Sequence, residues 1–380
     1  MAPVVALVTD ALSPFHVGGK ETRYAHVVSG LVARGVEVHV FTMRWWDGPR
    51  VQVIGGATYH AVCRRYALYH RGRRSLVEAV MFALGSLRLL WHRFDLIEAD
   101  HMPHLQLFPI RLVSRVRRVP LVVTWHEVWG SAAWTSYLGR RAGRVGAALE
   151  RWTMQLGDAL VASSPGTAYR LVEGGVPRPR ITVVPNGVDL EVIDRAPVGH
   201  PPIDVLFVGR LIAHKHVDTL LDALALLGRD GCLRRCTIVG TGPQRAALEA
   251  QAARLGLSSV RFVGTLPTEA AVYSLMKAAT VLALPSTREG YGIVVAEAIA
   301  CGCRIVTCDH PDNQARALVE PGRTGLLAAP NAAALAEALE AARQLRPATP
   351  STQPAPSWAA TVDQLAHLFG TLLAGAGGGR

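Results

Sequence analysis

The stretch Thr280–Asp309, TVLALPSTREGYGIVVAEAIACGCRIVTCD, decides the fold. It opens on one short apolar run, TVLALPS, and closes on another, RIVTCD. Short apolar runs bounded by turn residues read as strands buried on both faces, as in a parallel sheet. Between them the turn Gly290-Tyr291-Gly292 leads into an apolar helix. Strand, turn, helix and strand make a parallel β-α-β unit. Two glutamates, Glu289 before the helix and Glu297 inside it, bracket the turn with seven residues between them.

The same rhythm runs outward in both directions. VVALVTD (Val4–Asp10) reads as a strand. A helix follows with apolar residues at Ala25, Val28, Leu31 and Val32, capped by Gly35, and then the alternating strand VEVHVFT (Val36–Thr42). DLIEAD (Asp95–Asp100), PLVVTW (Pro120–Trp125), DALVASS (Asp158–Ser164) and ITVVPNGVD (Ile181–Asp189) continue the series. EVIDRAPVGHPP is proline-rich and aperiodic, a linker. A second series starts with DVLFVGR (Asp204–Arg210), CTIVGTG (Cys236–Gly242) and SVRFVGTL (Ser259–Leu266). The expectation is an α/β protein of two doubly wound Rossmann-like domains facing a central cleft. Its parts are residues 1–190, a linker at 191–202, residues 203–345, a Pro-rich loop at 346–357, a helix at 358–373 and a flexible tail at 374–380.

The bulk numbers fit. A chain of 380 residues, half of them apolar, affords two cores and is not disordered. The net charge of +11 is uneven: residues 1–190 hold 23 Lys and Arg against 13 Asp and Glu, whereas 191–380 hold 17 against 16. A basic half suits an anionic partner such as a membrane surface, a phosphorylated substrate or a nucleic acid; the plain alternative is a solvated Arg-rich surface. The six cysteines form no CxxC pair, and Cys301 and Cys303 read as small buried hydrophobes. Free thiols point to a reducing, cytoplasmic compartment. MAPVVALVTDALSP lacks the basic region and cleavage site of a leader. Ser75–Trp91, interrupted by Glu78 and Arg88, reads as a helix that does not span a membrane.

Ligands of doubly wound sheets bind at the carboxyl ends of strands. After the first strand come Gly18, Gly19 and Lys20, ahead of a helix. After VLFV come Gly209, Arg210 and, five residues on, Lys215; two cations at one strand end suit a diphosphate. The amides of Glu289–Gly292 precede a helix N-terminus, which favours phosphate. VGTGP (Val239–Pro243) fits a tight turn near a nucleotide or a purely structural one. Eight residues along a helix rise about 12 Å, more than the roughly 5–9.5 Å that separates carboxylates flanking one glycosidic bond. Glu289 and Glu297 therefore suit two hydroxylated parts of one elongated ligand, with phosphates between them.

The E-x7-E pair Glu289–Glu297, GRL…K at Gly209–Lys215, VPNGVD at Val184–Asp189 and the N-terminal Gly-Gly resemble family 4 of the retaining glycosyltransferases (GT4), of GT-B fold, over about residues 4–345. The resemblance implies an acceptor-side N-terminal domain and a nucleotide-sugar-binding C-terminal one. Glu289 would hold the donor sugar, Glu297 the ribose, and Arg210 and Lys215 the diphosphate. The backbone at Gly19, Gly209, Gly290, Tyr291, Gly292 and Ile293 would approach the phosphates or sugar. His126, in TWHEVWG, would lie near donor sugar and acceptor, so the catalytic set is Glu289, His126, Arg210 and Lys215. The family retains anomeric configuration by same-face attack and needs no metal or other cofactor, and UDP is its commonest nucleotide. Glu98 stands where many members have His, and HPDNQARALVE replaces a more usual small-residue turn. Trp45, Trp46, Glu127 and Trp129, with Trp125 and Trp134 nearby, are the acceptor-side candidates. Arg64, Arg65, Arg71, Arg73 and Arg74 form a basic set able to meet an anionic membrane or an acidic acceptor. The competing readings are a nucleotide-sugar epimerase or phosphorylase, and a non-enzymatic basic protein binding membrane or nucleic acid. The basic half explains the last, but the strand-end residues do not, and no nucleic-acid partner is expected.

Overall fold

A computed structural model describes residues 2–16, 18–70, 73–229, 235–345, 351–352 and 354–377. Arg71 and Cys232 lie outside them, as do parts of the expected Pro-rich loop and tail. The chain forms two compact units, Met1–Asn186 with Trp358–Arg380, and Gly187–Ser357.

The first unit is built on an eight-stranded sheet. Its strands are β1 (Val4–Val8), β2 (Glu37–Met43), β3 (Val51–Ile54), β4 (Ala57–Cys63), β7 (Leu96–Asp100), β8 (Leu121–Trp125), β9 (Ala159–Ala162) and β10 (Ile181–Val183). A two-residue hairpin, β5 (Tyr69–His70) with β6 (Arg73–Arg74), stands apart from it. The sheet order is β10-β9-β8-β7-β1-β2-β4-β3, parallel throughout except where β3 pairs antiparallel with β4. β7, β8 and β9 are buried along their whole length, as a parallel sheet covered on both faces requires. The helices are α1 (Gly19–Ala33), α2 (Leu76–Ser86), α3 (Leu107–Arg117), α4 (Gly130–Leu138), α5 (Arg140–Thr153) and α6 (Pro165–Glu173). Ser75–Trp91, expected as one helix, is α2 followed by a 3-10 turn at Leu87–Trp91.

The C-terminal helix α13 (Trp358–Gly377) returns to this unit. Its Val362, Leu365 and Phe369 join the cluster of Tyr24, Val27, Val28 and Leu31 from α1. Gly30 permits the crossing, since a Cβ there would stand 2.7 Å from Val362. Arg34 reinforces it with a hydrogen bond to Asp363 at 2.8 Å.

The second unit has six parallel strands: β11 (Ile203–Val208), β12 (Cys236–Val239), β13 (Val260–Gly264), β14 (Ala279–Leu284), β15 (Arg304–Cys308) and β16 (Gly325–Ala328). Their order, β13-β12-β11-β14-β15-β16, is the 3-2-1-4-5-6 winding of dinucleotide-binding sheets. Helices α7 (Leu190–Arg195), α8 (Val217–Arg229), α9 (Arg245–Arg254), α10 (Glu269–Ala278), α11 (Ile293–Ala300) and α12 (Ala332–Gln344) complete it. α7 lies in the stretch expected as linker. Asp189 caps it through the Val192 amide at 3.0 Å, and Lys277 of α10 bonds the Ala196 carbonyl at 2.7 Å. Cys236, Cys303 and Cys308 are buried free thiols of this unit's sheet region.

Candidate active site

In the second unit the winding reverses between β11 and β14, the point where such sheets hold ligands. Arg210 leaves β11 and is exposed. Lys215 ends a 3-10 turn, Ala213–Lys215, and its ammonium contacts the carboxylate of Glu289 beyond β14; each side chain is only 12% exposed. The backbone fixes Glu289: its N–H donates to the Asp312 carbonyl at 3.0 Å, and its carbonyl accepts from the Gln314 N–H at 2.9 Å. Thr287 is tied to the same corner by its N–H to the His214 carbonyl at 3.1 Å and by His216 Nε2 at 3.0 Å from its hydroxyl. Burial, then the charges of Arg288, Lys215 and Arg210, push His214 down to about 3. The imidazole is neutral because burial disfavours its charged form and three nearby cations add to that penalty.

The turn before α11 has a strict geometry. Gly292 sits at φ +89°, and a Cβ there would stand 2.4 Å from the Ala315 Cβ. No side chain caps α11, so its first turn presents amide donors and the positive end of the helix dipole. Tyr291 is buried and Ile293 begins the helix. Glu297, one turn on, accepts from the Tyr273 hydroxyl of α10 at 3.1 Å. Burial and the neighbouring Glu269 push it up to about 8. The glycines of VGTGP answer to packing: a Cβ on Gly240 would stand 1.9 Å from the Gly209 carbonyl oxygen, and one on Gly242 2.3 Å from that of Leu211.

In the first unit the reversal lies between β1 and β7, and a buried ionic cluster fills it. The Lys20 ammonium, from the first turn of α1, contacts Asp10 and stands 2.8 Å from Asp100 Oδ2. Arg74 contacts Asp10 from the other side and lies 3.6 Å from Glu78. Burial alone would raise the two aspartates, yet Lys20, with Arg74 at Asp10, holds both below the usual carboxylate range. Lys20 thus locks strand ends together and is spent within the fold. Glu98 is also buried, accepting from Tyr24 at 2.9 Å and Thr124 at 2.5 Å, and burial pushes it up to about 7. Arg23 of α1 donates to Asn186 Oδ1 at 2.8 Å, which gives the asparagine of VPNG a structural role.

His126 Nε2 lies 3.6 Å from Asp100 Oδ1. Burial pushes the imidazole down to about 3 against the opposing pull of Asp100, so it is neutral. Asp100, His101 and His126 offer ligand atoms within 4.8 Å of one another, but Lys20 and Arg74 already balance the charge of Asp10 and Asp100.

The tryptophans divide. Trp46, Trp125 and Trp134 belong to the core; Trp46, expected as a stacking platform, packs beside Phe15 and Tyr59 and donates Nε1 to the Pro49 carbonyl at 2.8 Å. Trp45 remains half-buried, its Nε1 bonded to the Asp10 carbonyl at 2.8 Å. It lines an open hollow of about 500 Å³ with Phe15, His16, Arg65, Tyr66 and Leu68. Glu127 and Trp129 are partly exposed and joined at 2.7 Å, while Glu150 accepts the Trp129 and Gly130 amides at 2.8 Å. Gly19 opens α1, also without a side-chain cap. The sequence reading passed over His214, His216 and Arg288, although HKH and TREG carry them beside Lys215 and Glu289.

Residues 17–192 match the profile of Glycosyltransferase Family 4, and residues 202–344 that of Glycosyl transferases group 1. The chain belongs to the family 4 glycosyltransferases. One relative, the D-inositol 3-phosphate glycosyltransferase of Nocardia farcinica, is 39% identical over 45% of this chain and 41% of its own. The GDP-mannose-dependent phosphatidylinositol dimannoside mannosyltransferase of Mycobacterium tuberculosis is 33% identical over 37% of this chain and 42% of its own. The chain thus spans about two-fifths of the length of these relatives. Among solved structures, the sucrose-phosphate synthase of Thermosynechococcus elongatus superposes with a TM-score of 0.82 at 20% identity, over 98% of this chain and 100% of that one. Anabaena HepE, solved with UDP and glucose, gives 0.66 at 20% identity, over 98% and 97%. These likenesses establish the GT-B fold, two Rossmann-like α/β units with parallel sheets.

Proposed function

We propose that the chain transfers a sugar from a nucleoside-diphosphate sugar, UDP-linked by preference, to a hydroxyl of an acceptor, with retention and without a metal. The observation that carries this is the convergence of Arg210, Lys215, Arg288 and Glu289 beside the uncapped start of α11, at the winding reversal of a dinucleotide-type sheet.

Each group then has a task. The diphosphate lies against Arg210, Lys215 and the first amides of α11, which stabilise the charge that develops as the sugar–phosphate bond breaks. Arg288 adds to this field. Glu289, pinned by its backbone bonds, accepts from sugar hydroxyls and orients the anomeric carbon; Glu297 accepts from the ribose. The departing phosphate oxygen takes the proton of the acceptor hydroxyl as it attacks the same face. His126 is too weakly basic to take that proton and acts as a neutral hydrogen-bonding partner. In the first unit, Trp45 and its hollow, with Glu127 and Trp129, hold the acceptor.

Thermal unfolding with UDP, GDP, ADP and dTDP and their sugars tests the reading, since a ligand of the folded state raises the midpoint with its excess over Kd. A shift with one nucleotide series, unaffected by EDTA, is expected. No shift at millimolar ligand would overturn the donor site, and a shift only with added Mn²⁺ would overturn the metal-free mechanism.

A further inference from the structure

α2 turns an aliphatic face outward while burying a glutamate. Its buried positions are Glu78, Phe82, Ala83 and Ser86, while Leu76, Val77 and Leu84 face outward at 72%, 62% and 58% exposure. A helix on a water-facing surface turns its charged residues out and its aliphatic ones in. The adjoining elements repeat the anomaly. α2 packs against the 3-10 turn Leu87–Trp91 and against α3; on these, Trp91 is 75% exposed, Leu112 53% and Val116 61%. Six large apolar side chains, each more than half exposed, therefore share neighbouring elements on one unit. Exposed apolar side chains grouped on neighbouring elements in this way mark an interaction surface.

Arginine dominates the charge of this stretch, although Arg111 of α3 is paired with Asp158 at 2.7 Å. Residues 64–118 hold eleven arginines and four carboxylates. Three of the carboxylates, Glu78, Glu98 and Asp100, are buried, and the fourth, Asp95, accepts the Val4 amide at 2.8 Å. Arg88, Arg93, Arg115 and Arg118 are exposed beside the apolar residues. We propose that this face seats the protein on an anionic bilayer surface, with the α2 and α3 side chains in the acyl boundary, Trp91 at headgroup depth and the arginines on lipid phosphates. No helix among the described residues is long and apolar enough to cross a membrane, so the seat is peripheral. It also adjoins the hollow lined by Trp45: Leu68, on the wall of that hollow, accepts the amide of Ser75, the N-cap of α2, at 3.0 Å. The geometry thus favours an acceptor displayed at the lipid surface. The bilayer seat itself does not depend on the donor-site reading.

Flotation of the full chain with phosphatidylcholine vesicles, with and without phosphatidylglycerol, tests this. Binding is expected only with the anionic lipid, weakening at high salt. The double variant Leu84→Glu/Leu112→Glu should reduce the bound fraction about tenfold or more while keeping the wild-type melting temperature and nucleotide shift. Trp91→Phe should remove the quenching of tryptophan fluorescence by brominated lipid. Should the leucine variants unfold, Arg88→Glu/Arg118→Glu carries the same test. Wild-type protein that stays unbound, or variants that bind equally well, would overturn the proposal. So would a wild-type dimer that the same variants split without any effect on vesicles, because the occupant would then be a second copy of the chain. A retained nucleotide shift alongside lost vesicle binding separates this failure from failure of the donor site.

Discussion

The Lys215 ammonium rests against the Glu289 carboxylate, joining the turn after β11 to the turn before α11. Each charge satisfies the other, so a diphosphate that binds Lys215 competes with Glu289 for it. Lys215→Ala should weaken UDP binding roughly 10- to 100-fold, the worth of a charge-assisted contact. Glu289→Gln should leave UDP affinity equal or higher, because the competitor for Lys215 is gone, while turnover drops roughly 100-fold or more. The two changes share one contact and should not be additive. Calorimetric titration of UDP into both variants and the double variant decides it; a Gln variant with much weaker UDP binding contradicts the division of labour.

Glu297 carries a proton signal. Burial and Glu269 raise its folded pKa from 4.5 to about 8. Its share of stability is therefore full below pH 4.5 and is lost as pH rises toward 8. Donor binding should run the other way, since only the ionised carboxylate accepts from both ribose hydroxyls. Affinity for a UDP-sugar, whose diphosphate does not titrate in this range, should rise between about pH 6 and 8. Glu297→Gln should flatten both trends. A donor affinity independent of pH in the wild type would remove the ribose role.

Much of this was legible in the chain because parallel strands are buried on both faces. VVALV announces itself as an unbroken apolar run and LVVTW as one interrupted by a single threonine, and the positions after them are where ligands sit. The edge pair β3 and β4 was not legible: VQVI is half solvated and ATYHAVC carries Thr, Tyr and His, so neither forms an apolar run. Nor does local pattern reveal that α13 closes on α1 more than 300 residues away, a match of Gly30 to Val362. The positions of Lys215 and Glu289 were readable because both fall at strand ends. The buried cluster was not, because Asp10, Lys20, Arg74 and Asp100 meet only through the winding of the sheet.

Two glycines of the donor side should resist substitution. Gly240→Ala would drive a Cβ to 1.9 Å from the Gly209 carbonyl oxygen, parting the exits of β11 and β12. Gly292→Ala would add left-handed strain to a contact with Ala315. Each should lower stability by about 2–4 kcal/mol, read as a lower melting temperature. Gly302→Ala is the control: it shares the positive φ but has open space, so its cost should be about 1 kcal/mol. Equal losses at all three positions would show that backbone conformation alone, and not close packing, fixes these glycines.

His126 supplies the sharpest test of the mechanism. Burial holds its imidazole at about 3, with Asp100 pulling upward and His101, Arg23 and Lys20 pushing down. A general base so far below neutrality contributes little proton affinity at working pH. The profile of kcat/KM against pH should therefore carry no limb from this residue between pH 5 and 8. His126→Asn should keep the shape of the profile at a lower plateau, because the amide still offers a neutral hydrogen-bonding group. Stability should respond with the opposite sign to Glu297: below the unfolded value of 6.5 the unfolded chain takes up a proton that the folded site refuses, so stability falls as pH drops toward 3. The Asn variant should be less acid-sensitive. An acid limb near pH 6.5 in the wild type that vanishes in the Asn variant would instead make His126 the base that receives the acceptor's proton, and the leaving phosphate would lose that role.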